Sequence, residues 1–385
     1  MSGVPDAAIA ACPDYEAETC RAALRQVLVP FGGLAWVKPG MRIAVKANLV
    51  SAMKPERAAT THPMLLRVLT EALVRRGASV VVGDSPGGTY AAGHLNAVYR
   101  ACGLAAVEEA GGTLNRNFAQ READLPDARV AKHITYTAYL DDADAVISFC
   151  KLKSHGMLAL SAATKNLFGA IPGTIKPEYH YRYPDPMDFA GMLIDLNEHF
   201  RPRLYLVDAV VAMEGNGPTA GQNRHIGLVM ASENAHALDL ASCYLIDYAP
   251  NEVDTVREAI ERGLVCDSAE KIDIAGEDIK PLVMKDYLKP ESHFNLIKLI
   301  SLPDALNARL INALASKPAM DYDICVGCGE CARCCPPKAI DMSSGKPVID
   351  TKRCIKCFCC QELCPKKAVK IKRPLLNRFM IKFLK

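Results

Sequence analysis

Ten of the sixteen cysteines in this 385-residue chain fall between residues 325 and 364. They are arranged as Cys325-x2-Cys328-x2-Cys331-x3-Cys335-Pro336 and again as Cys354-x2-Cys357-x2-Cys360-x3-Cys364-Pro365, each position of the second run lying 29 residues after its counterpart. Thiolates at this spacing on a tight loop grip three irons of one 4Fe-4S cubane, and the fourth cysteine of each run ligates the other cluster. The expected ligand sets are therefore Cys325, Cys328, Cys331 and Cys364 for one cluster, and Cys354, Cys357, Cys360 and Cys335 for the second. Pairs of Cys-x2-Cys also build tetrahedral zinc sites, but two triplets each closed by Cys-Pro supply eight ligands in a crossed pattern. Cys334 and Cys359 stand beside ligands, outside the Cys-x3-Cys-Pro register, and read as small buried hydrophobes. Iron-sulfur groups exchange single electrons, so two of them in sequence-related halves read as a relay.

Upstream lies a second group of residues able to do chemistry: Lys46-Ala-Asn48, Asp84-Ser-Pro-Gly-Gly88, Lys151-Leu-Lys-Ser-His155, Lys165-Asn-Leu-Phe-Gly169 and Asp208 through Pro218. Glycines let backbone N–H groups approach an anion, and lysines beside them neutralise carboxylate or phosphate. An anionic or carbonyl-bearing ligand is the expectation. Lys165, Lys153 and Lys46 read as anion binders, with solvated ion pairs as the alternative. His155 follows two lysines, which lower an imidazole toward its neutral, proton-exchanging form, and reads as an acid/base or substrate contact. Glu214 directly follows the apolar run VVAM, where an unpartnered carboxylate is costly to bury, and reads as a site residue. The stretch 84–88 fits a tight turn and an anion nest equally. The cluster from Tyr179 through Tyr183, with His180 inside it, either walls a pocket for a flat substrate or packs a surface loop.

The elements that must position these residues follow from hydrophobic patterning. Residues 41–47, 79–83, 144–149, 203–208 and 226–231 are short apolar runs of the buried-strand type. Helices are expected from Pro63 to Arg76, from Ala235 to Tyr248 and near 252–262. This alternation predicts an α/β fold, a mostly parallel sheet with flanking helices, in which ligands bind at the carboxyl ends of strands. A small α+β ferredoxin-like two-cluster domain follows. The expected division is an α/β domain over 1–279, a helical connector over 280–318, the cluster domain over 319–372 and a basic amphipathic tail over 373–385.

The formal net charge is +3, but eight Lys/Arg and no acid lie between Lys366 and Lys385, which leaves the body mildly acidic. That balance gives no basic groove for nucleic acid. No Lys or Arg precedes Arg21 and charges interrupt the apolar stretches, so neither a signal peptide nor a spanning helix can be drawn. Cysteines at metal-ligand spacing fit a reducing compartment, and the expected location is the cytoplasm. The tail is expected to dock on the protein's own body or a partner rather than on a membrane surface. No Gly-x-Gly-x-x-Gly follows the first strand, so neither NAD nor a Rossmann-bound flavin is indicated, and electrons are expected from another redox protein.

The strings KLKSH, ATKNLFGAIPG, KPEYHYRYPDPMD and DAVVAMEGNGP together resemble the family called domain of unknown function 362, over about residues 40 to 270, in its iron-sulfur form with a bacterial-type ferredoxin domain. The matching positions are Lys151, Lys153, His155, Lys165, Asn166, Gly169, Asp208 and Glu214 through Pro218; Ser154 stands where Thr is common and keeps the hydroxyl. At the level of fold the chain is also distantly similar to the lactate racemase family, which implies metal-centred chemistry as a third reading. The first reading is an iron-sulfur oxidoreductase that passes single electrons through two 4Fe-4S clusters to an anionic or aromatic small molecule. Its catalytic residues are His155, Lys165, Lys153 and Glu214, and its substrate contacts are Lys46, Asn48, Lys151, Asn166, Gly169, Asn216 and His180. The alternative is an electron carrier or adaptor whose α/β domain docks a partner enzyme.

Overall fold

The computed structural model describes residues 3–291 and 316–372. Strand β1 (Ala7–Ala11) leads into helix α1 (Ala17–Leu28), and β2 (Arg42–Lys46), α2 (Pro63–Arg75) and β3 (Ser79–Gly83) follow as a strand-helix-strand unit. Helices α3 (Ala92–Ala101) and α4 (Ala105–Glu109) precede β4 (Thr113–Leu114), and β5 (Gln120–Asp124) with β6 (His133–Thr137) forms a separate hairpin. Then come β7 (Ala145–His155), β8 (Ala159–Ser161), α5 (Ala163–Asn166), α6 (Lys176–Arg182) and α7 (Pro186–Phe200). The α/β part ends with β9 (Leu204–Glu214), β10 (Gln222–Ser232), α8 (Ala235–Leu245), α9 (Asp254–Glu261) and β11 (Ile274–Gly276).

These strands form one sheet in the order β11-β1-β10-β9-β7-β2-β3-β4, with β8 paired to β7. It is mostly parallel: β9, β7, β2, β3 and β4 run the same way, while β10 is antiparallel to both β1 and β9. Side chains alternate across β7 as the pleat requires. Ile147 and Phe149 join the core beneath α1 and α2, whereas Cys150 and Leu152 join the core beneath α8. Helix α2 begins where expected, with Pro63 in its first turn and the His62 imidazole accepting from Met64 N, and it buries Leu65, Leu66, Leu69 and Leu73.

The apolar runs bracket β2 and β3 to within a residue, but they miss the first four residues of β10 and the far ends of β7 and β9. Both β7 and β9 continue to eleven residues, so KLKSH and most of the Asp208–Glu214 stretch are strand rather than loop. Lysine in a strand pattern reads as solvent-facing, yet Lys151 and Lys153 continue the Ile147/Phe149 face and are almost completely buried.

The carboxy-terminal domain is built from β12 (Lys317–Met320), α10 (Glu330–Arg333), β13 (Ile340–Asp341), β14 (Val348–Ile349), α11 (Cys359–Glu362) and β15 (Val369–Lys372). Strand β12 pairs antiparallel with β15, and β13 with β14. The sequence duplication is also a backbone duplication. Gly329 and Phe358, which precede the two helices, share left-handed φ values of 77° and 60°, and Lys338 and Lys367 share 51° and 54°. The tail expected at 373–385 and most of the connector expected at 280–318 lie outside the described residues. No helix among the described residues is long and apolar enough to cross a membrane.

At the ends of β2 and β3 the packing is tightest around Gly169. A Cβ there would sit 2.0 Å from Asp84 Oδ1 and 2.4 Å from Lys46 Nζ, so the buried ion pair between those residues exists only beside a glycine. Gly169→Ala is expected to cost about 3 kcal/mol or more, the penalty of parting a buried pair. Gly93→Ala, in α3 with nothing within 4 Å of the new Cβ, should stabilise by about 0.5 kcal/mol. Denaturation midpoints of the two variants check both signs.

Candidate functional site

At the carboxyl ends of β2, β3 and β7 the sequence delivers charged side chains into the interior, and each must find partners there. Lys46 Nζ lies 2.8 Å from Asp84 Oδ1 and donates to Ala47 O at 2.6 Å. The other Asp84 oxygen accepts from Leu49 N at 2.7 Å, and Asn166 Nδ2 braces the arrangement by donating to Lys46 O and Ser148 Oγ. This pair is closed on itself. Burial lowers Lys46, while Asp84 pushes it back up.

Lys153 is different, because its ammonium donates only to neutral oxygens, Asn48 Oδ1 at 2.6 Å and Ala59 O at 2.8 Å. Burial, followed by the nearby Lys165 charge, pulls it down to about 7. Lys176, at the start of α6, donates to Ser85 O and is lowered to about 8, chiefly by burial. Lys165 forms no hydrogen bond or ion pair among the described residues; its ammonium lies 5.4 Å from the centre of the Phe168 ring, and burial lowers it too. His180 stacks on Phe189 with ring centres 4.5 Å apart, and burial together with the Lys165 and Lys176 charges drops it to about 3, so the ring is neutral. Its Nδ1 is buried without a hydrogen-bond partner among the described residues.

These groups line one cavity of about 670 Å³, counting its open mouth. The far wall belongs to the carboxy-terminal domain: Cys359, Glu362 and Leu363, on and just after α11, face the lysines. Two hydrogen bonds hold that wall, Thr219 Oγ1 to Glu362 O at 2.9 Å and Gln361 Nε2 to Asn216 O at 3.2 Å. Leu363 packs so closely on Gly87 that a Cβ there would sit 2.3 Å from its Cδ2.

Of the residues singled out in the sequence, Asn48, Lys153, Lys165, Asn166, Gly169 and His180 line this cavity, and Lys46 lies directly behind it. Lys151 is elsewhere: its ammonium is 2.6 Å from Asp208 Oδ2 and donates to the Tyr15 hydroxyl, which also donates to Asp208 Oδ1. His155 sits at the β7–β8 turn, its Nδ1 accepting from Met157 N and Leu158 N. Glu214 accepts from Leu288 N, and the Asn216 side chain accepts from Glu291 N. None of these four lines the cavity. Sequence reasoning did not assign Lys176, Phe168 or Glu362 to the site, and it read Cys359 as a small buried hydrophobe rather than a cavity residue. Lys176 was signalled by its place beside the aromatic stretch 179–183, whereas the α11 residues reach the site only through the packing of two domains.

Cys325, Cys328, Cys331 and Cys364 ring a second, smaller cavity, so a cysteine of the second run joins three of the first. Burial pushes the Cys354 thiol up, with Cys357 and Cys335 as neighbouring charges, and Cys360 is raised by burial and by the same surroundings. No three His, Cys, Asp or Glu side chains among the described residues meet at single-ion distance; the thiols surround a space instead. Backbone N–H groups point at two of the sulfurs in equivalent places, Ala339 N at Cys335 Sγ and Ala368 N at Cys364 Sγ, both at 3.2 Å. Such a donor set suits a cubane, whose sulfur ligands are spread around it and accept N–H bonds.

Comparison with known proteins places these two regions separately. The family model for "Domain of unknown function (DUF362)" matches residues 43–244, and that for "4Fe-4S dicluster domain" matches residues 317–365. The thylakoid-associated protein sll1697 of Synechocystis sp. is 32% identical over 263 residues, covering 66% of this chain and 79% of that protein. The lactate racemase apoprotein from Thermoanaerobacterium thermosaccharolyticum aligns with a TM-score of 0.39 and 12% identity, over 61% of this chain and 57% of the racemase. The chain thus spans little more than half of that structure, and a likeness at this level carries no argument about the site.

The low value for Lys153 has a measurable consequence. An unfolded lysine keeps its proton to about pH 10.4, whereas folded Lys153 releases it near 7. Between those values the unfolded chain binds the extra proton, so the destabilisation from Lys153 is complete below pH 7 and fades as pH rises. Lys153→Met removes this titration. Wild-type stability relative to the variant should therefore climb between pH 7 and 9, by up to about 1.4 kcal/mol per pH unit. Paired denaturation midpoints measure it, and a pH-independent gap would mean that Lys153 stays charged.

Proposed function

The chain belongs to the family described as domain of unknown function 362, and from that membership and its 4Fe-4S domain we propose an iron-sulfur oxidoreductase that reduces a small molecule in the inter-domain cavity. The observation that carries this reading is the shared wall: Cys359 and Glu362 of the dicluster domain line the same cavity as Lys153, Lys165 and His180 of the α/β domain. An electron carrier that merely docked elsewhere would have no use for such a cavity.

In this reading the domain holds two clusters, one on Cys325, Cys328, Cys331 and Cys364, the other on Cys354, Cys357, Cys360 and Cys335. When bound, they supply electrons one at a time. The relay has a direction in space. Cys328 is exposed, flanked by the exposed side chains of Ile324 and Val326, and offers a face to a redox partner protein; Cys360 is buried, adjacent in sequence to the cavity residue Cys359. The proposed place of action is the cytoplasm.

The α/β domain's residues bind, shield and protonate. Two electrons from a reduced partner protein and two protons convert the bound acceptor S to SH2. Lys153 holds a proton that it can release near neutral pH, and Lys165 lies beside it as the neighbouring charge. The neutral His180 ring can accept or donate a hydrogen bond at Nδ1 without adding charge. The cavity takes its walls from both domains, which limits the solvent that reaches a bound acceptor to what enters by the open mouth.

Anaerobic protein should contain about eight irons and eight sulfides per chain and give a paramagnetic signal after dithionite that a true acceptor discharges. Cys331→Ser and Lys165→Ala are expected to abolish the same turnover. Loss with Cys331→Ser but full turnover with Lys165→Ala would replace this reading with that of an electron carrier whose α/β domain is a docking module.

A further inference from the structure

We propose that the inter-domain cavity takes a small organic dianion, a dicarboxylate or a phosphomonoester, gripped by Lys153, Lys165 and Lys176 and set against Glu362. This rests on the reading of the cavity as the substrate site and names the class of molecule it admits.

The argument is a charge balance. Asp84 reaches the cavity but is already neutralised by Lys46 at 2.8 Å. Among the side chains, what is left when every lysine holds its proton is three ammonium groups and one carboxylate, Glu362, an excess of two positive charges that falls as Lys153 releases its proton near 7. The three lysines have no acidic partner of their own: Lys153 is satisfied by an amide oxygen and a carbonyl, Lys176 by a carbonyl, and Lys165 by no hydrogen bond among the described residues. Glu362 acts on all three through space, and no ion pair joins it to any of them among the described residues. That leaves the ammonium groups facing open volume rather than a protein anion. Lys153 is buried and Lys165 and Lys176 are half-buried; charge withdrawn from water without a counterion is costly, and natural sites carry it where a ligand supplies the missing sign.

Three further features fit a ligand with two negative centres. The Phe168 ring stands 5.4 Å from both the Lys165 and the Lys176 ammonium groups, so these two share one aromatic wall. His180, 4% exposed, lines the same space, and its buried Nδ1 has no hydrogen-bond partner among the described residues. The backbone of the nearby turn, by contrast, is already spent: Ser85 N donates to Gly169 O, Gly87 N to Val50 O, and Gly173 N to Ser85 Oγ. Recognition therefore falls to ammonium groups rather than to a backbone nest.

The duplication supplies an independent observation. The position equivalent to Glu362 in the first half is Arg333, which lies at the surface paired with Glu330. Only the half that faces the lysines carries a carboxylate there.

The test is calorimetric titration of the oxidised, cluster-loaded, full-length protein with succinate, methyl phosphate, sulfate and, as a monoanion, acetate. At least one of the three dianions should bind about tenfold or more tighter than acetate, and the stronger of succinate and methyl phosphate identifies the dicarboxylate or phosphate case. Lys165→Met should weaken that binding about tenfold, and Glu362→Gln should tighten it severalfold, a gain that structural damage does not produce. Cluster absorbance is compared in each variant. No preference of any dianion over acetate, or a preference that neither variant alters, would overturn the proposal. Dianions that bind with both variant responses yet never reoxidise the reduced protein would uphold the class and sink the oxidoreductase reading. A neutral compound that reoxidises it in a Lys165-dependent way, with no dianion bound, would do the reverse.

Discussion

A lysine carried into a protein interior must be met by an anion or lose its proton, and the α/β domain meets that constraint unevenly. Lys46 ends β2 and Lys151 lies within the neighbouring parallel strand β7, and each has a carboxylate within 2.8 Å, Asp84 for the first and Asp208 for the second. Both pairs are braced by further hydrogen bonds, the condition under which a buried ion pair is tolerated. Lys153, two residues beyond Lys151 on the same strand face, has only neutral partners. Its neighbours Lys165 and Lys176 come from the segment that crosses over the strand ends. The glycine at 169 and the turn at 84–88 follow from the same constraint, since the first Lys–Asp pair needs a neighbour without a side chain and a backbone that bends around its carboxylate. What the sheet neutralises becomes framework, and what it leaves charged becomes the cavity.

Much of this was legible in the residues and some was not. The starts of β2, β3, β7 and β9, the helix opened by Pro63 and the parallel character of the sheet follow from periodicity, because these core strands are apolar enough to announce themselves. The far ends of β7 and β9 do not, because Lys151, Lys153 and Asp208 break the apolar run while remaining in strand and buried; hydropathy cannot distinguish a paired interior charge from a solvated one. The N-terminal strand Ala7–Ala11, a run of small residues, is fixed by pairing with β10 and β11 rather than by a strong local pattern. Within the site, residue type and strand-end position pointed to Lys153, Lys165, Asn48 and Asn166. The same reasoning pointed equally to Lys151, which differs from Lys153 only in that Asp208, 57 positions later in the chain, comes to lie beside it. Such a distinction exists only in three dimensions.

The duplicated domain carries the argument one step further, because two copies of one unit at a spacing of 29 residues began with equal surroundings and no longer have them. Glu330, Ala332, Arg333 and Cys334 in the first copy correspond to Cys359, Gln361, Glu362 and Leu363 in the second. The first copy keeps a solvent-facing Arg333–Glu330 pair. The second replaces it with a thiol, an amide that bonds to Asn216 O, a carboxylate facing lysines and a leucine seated on Gly87. Each change suits a helix covered by another domain: charge pairing gives way to apolar contact, hydrogen bonds to a fixed backbone, and a field complementary to the cavity below. In a partly enclosed gap between two domains that field is screened less than at a fully exposed surface. The divergence between the halves thus maps the docking face onto α11, and it was written in the sequence for any reading that compared the two copies position by position instead of counting their cysteines.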